Sequence, residues 1–114
     1  MADLELLQRV LCVRFEAQFY GCDLRLKLGV SRAVRERLRP LNGLRMPPEN
    51  GTSGWYIWAG EAFSDADDFF VPLHGEHLDE WAPAVLPYLA LPPGWRFLID
   101  GSYEDVWHDE QLLR

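Results

Sequence analysis

A chain of 114 residues, 48% hydrophobic and 25% charged, has the length of one domain and a composition that excludes intrinsic disorder. Its formal net charge of −7 argues against a nucleic-acid partner, because phosphate contacts need a surplus of Lys and Arg. No apolar run approaches the ~20 residues of a membrane-spanning helix, and the opening Met-Ala-Asp-Leu-Glu has no signal-peptide pattern, so the expected address is the cytoplasm.

Leu4, Leu7, Val10, Leu11, Phe15 and Gln18 recur at helical spacing. This predicts an amphipathic helix with Asp3 as its N-cap and Gly21, after Tyr20, as its stop. Cys12 and Cys22 lie ten residues apart, which fits neither a Cys-x-x-Cys motif nor a zinc knuckle, and both read as free structural thiols. From Asp23 to Val30, Leu24, Leu26 and Leu28 alternate with Arg25 and Lys27, the two-residue period of a half-buried strand. Ser31 then caps a short predicted helix, Arg32 to Arg39, closed by Pro40. Its arginines read as a solvated face, with contact to an anion as the alternative. Residues 40–54 contain three prolines and three glycines and predict a long irregular loop with turns at Asn42-Gly43 and Asn50-Gly51.

The stretch from Gly54 to His77 organises the rest. Trp55, Ile57 and Ala59 share one side of a predicted strand and Tyr56 and Trp58 the other, so that strand should be central or covered on both faces. Residues 69–74 alternate likewise and contain Pro72, which places this strand at an edge or a bulge. The two are predicted to pair antiparallel across the acidic connection Ser64-Asp65-Ala66-Asp67-Asp68. Leu78, Trp81, Val85 and Leu89 return to helical spacing, broken by Pro83 and Pro87. Trp95, Phe97 and Ile99 then form a strand, Asp100-Gly101 a hairpin turn, and Tyr103 to Trp107 its partner. The predicted fold is one α+β domain over residues 1–114. It has a small, mostly antiparallel sheet, an N-terminal helix, and short proline-broken helices packed on the sheet.

Catalytic signals are weak. His74-Gly-Glu-His77 would need a third metal ligand from His108, Asp67 or Asp109, and the preferred reading is a pair of hydrogen-bonding histidines at a strand end. The carboxylates read as exposed acids, since an acid and base pair needs a pocket that separates two pKa values. Neither a Gly-x-Ser-x-Gly elbow nor a glycine-rich phosphate loop is present. No catalytic, metal or cofactor residue is assigned, and the chain reads as non-enzymatic. Most of the five tryptophans read as core. Trp107, followed by His108-Asp109-Glu110, is the exception and reads as an interface anchor.

Charge is lopsided. Residues 1–50 carry nine Lys/Arg against six Asp/Glu, and residues 51–114 two against twelve. An acidic half suits a basic protein partner.

Several segments carry a resemblance: Pro40-Leu-Asn-Gly-Leu-Arg, Pro47-Pro48, Thr52-Ser-Gly-Trp-Tyr-Ile-Trp-Ala-Gly-Glu61, Asp68-Phe-Phe-Val-Pro-Leu-His74, His77-Leu78, Leu91-Pro-Pro-Gly-Trp-Arg-Phe-Leu-Ile-Asp100 and Tyr103-Glu-Asp-Val-Trp107. Through them the chain resembles the bacterial immunity protein 33 family, proteins associated with polymorphic toxin systems that protect a cell from a toxin. The likeness covers residues 40–113 well and residues 1–39 loosely. It implies a non-catalytic protein that binds and neutralises a cognate toxin, and the acidic half suits a basic one. The alternative is a small-ligand or carbohydrate module using Trp and carboxylate groups. Exposure and charge, not the family, nominate Trp58, Glu61, Asp67, Asp68, Trp107, Asp109 and Glu110 as partner-binding residues. An aromatic edge strand leaves a homodimer open, although Pro72 would interrupt sheet pairing there.

Overall fold

The computed structural model describes residues 3–60, 64, 66 and 68–114. Six strands, β1 (Lys27–Ser31), β2 (Leu41–Arg45), β3 (Thr52–Ala59), β4 (Phe70–His74), β5 (Trp95–Asp100) and β6 (Tyr103–His108), form one sheet in the order β4-β1-β3-β2-β5-β6. Only β1 and β3 run parallel; the other pairings are antiparallel. Helices α1 (Leu4–Arg14), α2 (Arg32–Arg35) and α3 (Leu78–Trp81) complete the fold with short 3-10 segments, of which Pro83–Tyr88 is the longest. The α+β reading holds, with the proline-rich run helical only in short pieces.

The core lies on one side of the sheet. Leu28 and Val30 of β1, Trp55, Ile57 and Ala59 of β3, and Phe97 and Ile99 of β5 meet Leu11 and Cys12 of α1, Val34 of α2, Leu78 of α3, and Val85 and Leu89. The predicted alternation of β3 is correct, and β4 is an edge strand, as Pro72 requires. The predicted pairing of β3 with β4 is not made, because β1 lies between them. Ten positions of sequence separate Ala59, the last residue of β3, from Phe70, the first of β4, more than a hairpin turn needs.

The largest departure from the sequence reading is β2. Residues 41–45 were expected inside a loop, yet they form a strand between β3 and β5, near the centre of the sheet. Asn42-Gly43 marks no turn here. Asn42 is buried and its amide Nδ2 donates to the carbonyls of Gly60 at 3.0 Å and Pro40 at 3.3 Å. Gly43 lies directly under the Phe97 ring, and a Cβ at this position would overlap that ring. The glycine is therefore selected by close packing. Asn50-Gly51 does turn the chain, with Gly51 at a φ of 75°.

Arg45, at the end of β2, is only 2% exposed and has no carboxylate partner among the described residues. Its Nε donates to Ser53 O at 3.0 Å, and its Nη1 donates to Gly21 O, Leu89 O and Leu91 O at 2.9, 3.1 and 2.8 Å. The guanidinium also lies over the rings of Tyr20 and Trp55. One cation thus ties β2 to β3, to the segment after α1 and to the chain before β5. Burial lowers its pKa, with Cys22 and Tyr20 acting the other way.

α1 departs from expectation in length and in facing. Asp3 is the N-cap, its Oδ1 accepting from Glu5 N at 3.0 Å, but the helix ends at Arg14. Glu16 takes a φ of 55° and Ala17 N donates to Cys12 O, which closes the last turn. The buried face is Gln8, Leu11 and Cys12, while Leu7 and Val10 are exposed. β1 begins at Lys27, later than predicted, because Asp23 turns the chain by accepting from Arg25 N and Leu26 N. α2 stops at Arg35, and Arg37 has a φ of 62°. Ser31 makes no side-chain cap bond and instead accepts from Ala59 N at 3.4 Å.

Two substitutions test this packing. Gly43→Ala should cost about 1–3 kcal/mol through overpacking, read from the urea midpoint, and an unchanged midpoint would contradict the contact with Phe97. Arg45→Met should cost about 3 kcal/mol or more, since it leaves several buried carbonyls with one donor fewer; a variant as stable as the parent would show that those carbonyls need no guanidinium.

Candidate protein-binding face of the sheet

Pairing places one residue of each strand in a transverse row on the face opposite the core: Pro72, Gly29, Tyr56, Leu44, Arg96 and Trp107. A second row holds Trp58, Asn42, Leu98 and Asp105, and Asp100 pairs with Tyr103 beside it. Because period-2 alternation sends the core residues to the helical side, this face receives the rest. It stays open to solvent over much of its extent: Tyr56 is 38% and Tyr103 58% exposed, Pro72, Asp100 and Asp105 are exposed, and Leu44, Arg96, Leu98 and Trp107 are half-buried.

The β5–β6 end carries the most developed chemistry. The Arg96 guanidinium lies over the Trp107 ring, 5.4 Å from its centroid, and Arg96 Nη1 donates to Asp109 Oδ2 at 3.1 Å. Asp109 Oδ1 accepts from Gln111 N at 3.1 Å and starts the 3-10 segment Glu110–Leu113. Trp107, Arg96 and Asp109 are therefore held in fixed mutual positions, at a low ordering cost on binding. At the other end, Gly29 leaves room for the Tyr56 ring, which a Cβ would approach to 2.7 Å. Beside Tyr56, a cleft of about 230 Å³ is lined by Lys27, Gly29, Phe70 and Pro72.

Of the residues nominated from sequence, Trp107, Asp109 and Glu110 come together at the β6 edge. Glu110 is exposed and 3.9 Å from Arg114. Asp68 is exposed just before β4, at the opposite edge. Trp58 sits in the second row but is only 4% exposed. Glu61 and Asp67 lie outside the described residues. Arg96, Tyr56, Leu44, Leu98 and Tyr103 were not nominated, although the alternation of β5 already set Arg96 and Leu98 opposite Trp95 and Phe97; the missing signal was β2, which completes the face. His74 and His77 are both exposed, with ring centroids 6.5 Å apart. Among the described residues, no group of three or more His, Cys, Asp or Glu is placed to hold a metal ion, and no helix is long and apolar enough to cross a membrane.

Residues 7–109 match the family model described as Imm33-like domain. The chain belongs to this family. No curated protein and no solved structure matches the chain. The Imm33-like match includes all six strands and most of α1, so the resemblance drawn from residues 40–113 extends through the N-terminal part.

Behind β6, the Imm33-like domain is fastened by a polar triad. The Tyr88 hydroxyl and Arg14 Nη2 both donate to the Glu104 carboxylate, which joins the end of α1 to the edge strand. Burial alone would raise the Glu104 pKa; the bonds from Tyr88 and Arg14 outweigh it and hold the carboxyl below its ordinary value. Burial, and then the Glu104 bond, raises the Tyr88 pKa. A depressed folded-state carboxyl stabilises the fold above its unfolded pKa, and that contribution is lost as pH falls through the folded value. Stability should therefore decline as pH drops below about 4.3, and Glu104→Gln should be less stable at pH 7 with a flatter acid limb in urea unfolding. An equally steep acid limb in the variant would place the linkage elsewhere.

Proposed function

We propose that this Imm33-like chain is a non-catalytic immunity protein that neutralises a cognate bacterial toxin in the cytoplasm by burying it against the open face of the sheet. The observation that carries the reading is the row from Tyr56 to Trp107, an aromatic and apolar surface held in place by Arg96 and left uncovered on a sheet whose other face is packed. Five inter-strand spacings make the face ~24 Å wide. With its rim, that suits a standard interface of ~800 Å² per partner.

Trp107 and Tyr56 serve as anchors, and the cleft beside Tyr56 receives a side chain of the toxin. Acids surround them: Asp100 and Asp105 on the face, Asp109 and Glu110 at the β6 edge and Asp68 at the β4 edge. They favour a basic toxin and raise its association rate at low salt. Trp58 shares this face but is only 4% exposed, so it backs the anchors rather than meeting the toxin directly. A sugar-binding reading asks for several exposed tryptophan faces, whereas Trp55 and Trp58 are buried.

The test is capture from the source cell's lysate with tagged wild-type chain, Trp107→Ala and Asp105→Lys, at low and moderate salt. The wild type should recover one basic protein in near-stoichiometric amount. Trp107→Ala should bind it about 30-fold more weakly, the ~2 kcal/mol of a hot spot, and Asp105→Lys should bind more slowly. Equal recovery by all three chains, with unchanged thermal melts, would remove the open face from the interaction.

A further inference from the structure

A second concave site lies on the opposite side of the molecule from the open face. It is a cleft of about 490 Å³ between α1 and the segment that follows it, lined among others by Gln8, Tyr20, Cys22, Leu26, Arg45 and Ser53. That volume is in the range of small-molecule sites. Two nearly buried residues, Ser53 and Arg45, turn polar groups toward it. Ser53 is 1% exposed, and its Oγ has no hydrogen-bond partner. The Cys22 thiol lies beside it. Arg45 is 2% exposed; its Nε and Nη1 are used on backbone carbonyls, whereas Nη2 makes no hydrogen bond among the described residues. The two groups are neighbours, because Arg45 Nε donates to the carbonyl of Ser53 itself at 3.0 Å.

A buried cation held by backbone carbonyls, with no carboxylate partner among the described residues, beside an orphaned hydroxyl is an unusual combination. The geometry points to this cleft as a binding site for a small monocarboxylate with an apolar body. One carboxylate oxygen accepts from Arg45 Nη2 and the other from the Ser53 hydroxyl, giving charge-assisted bonds. The body of the ligand lies against Tyr20, Phe19 and Leu26. The rim sets the charge of the ligand. Glu5 and Asp23 line the cleft and are exposed, each paired with an arginine of its own helix or turn, Arg9 and Arg25. These acids oppose a dianion such as phosphate more strongly than a single carboxylate.

This site is independent of the toxin-binding reading, and so is its test. Sodium benzoate is titrated into the full chain at constant ionic strength, followed by nitrogen–proton NMR of Arg45 Nε and the Ser53 amide. The expected result is a saturable shift at both positions with a Kd of about 1 mM or tighter. Ser53→Ala, a substitution small enough to keep the fold, should weaken binding about tenfold by removing one hydrogen bond. Inorganic phosphate at equal concentration should give no saturable shift. Absence of saturation with benzoate, equal affinity in Ser53→Ala, or tighter binding of phosphate would each overturn the assignment.

Discussion

The whole arrangement depends on one buried guanidinium. Arg45 reaches from the end of a central strand to the carbonyls of Gly21, Ser53, Leu89 and Leu91, positions spread over most of the chain. A charge taken out of water needs either an opposite charge or a full set of hydrogen bonds. Here polar backbone takes the role of the counter-ion, and it does so only if the segment after α1 and the chain before β5 are in place. The tie is thus cooperative: each carbonyl stabilises a cation that holds the other three. It also fixes Trp55, whose indole Nε1 donates to the same Leu89 carbonyl at 2.9 Å.

With the helical elements drawn to one side in this way, the sheet has two faces of different character. The inner face is a core of Trp, Phe, Leu, Val and Ile. The outer face retains Tyr56, Leu44, Leu98, Trp107 and Tyr103 among acids, more apolar surface than a sheet exposed only to water requires. In the proposed reading that surplus meets a protein partner. The Arg96, Trp107 and Asp109 cluster is rigid before binding, and β6, which bears it, is braced from behind by Glu104, Tyr88 and Arg14. The result is an edge strand presented as a firm platform.

Sequence reading found the elements whose apolar pattern is local and unambiguous. The alternation of β3, the hairpin of β5 and β6 about Asp100-Gly101, the edge position of β4 and the Asp3 cap all rest on neighbours in the chain. It missed what depends on distant partners. β2 was hidden because Asn42 and Gly43 carry turn chemistry, and only Phe97 on one side and the Gly60 carbonyl on the other turn them into strand residues. The N-terminal helix has apolar residues all round, so periodicity alone could not choose the Gln8, Leu11 and Cys12 face over Leu7 and Val10. The pairing of β3 with β1 is parallel and long-range, and no local signal distinguishes it from a hairpin. The candidate face was half legible: Trp107, Asp109 and Asp68 follow from exposure and charge, whereas Arg96 and Leu44 acquire a role only once β2 joins β3 to β5.

Hydroxyl-radical footprinting of the chain alone and in complex with its captured toxin tests the central claim most directly, because tyrosine and tryptophan report both sides of the molecule. The account predicts protection of Tyr56, Tyr103 and Trp107 on the open face, with Tyr20, 52% exposed beside Arg45 on the other side, oxidised as in the free chain. Protection of Tyr20 with the open face still reactive would contradict it and move the partner to the helical side.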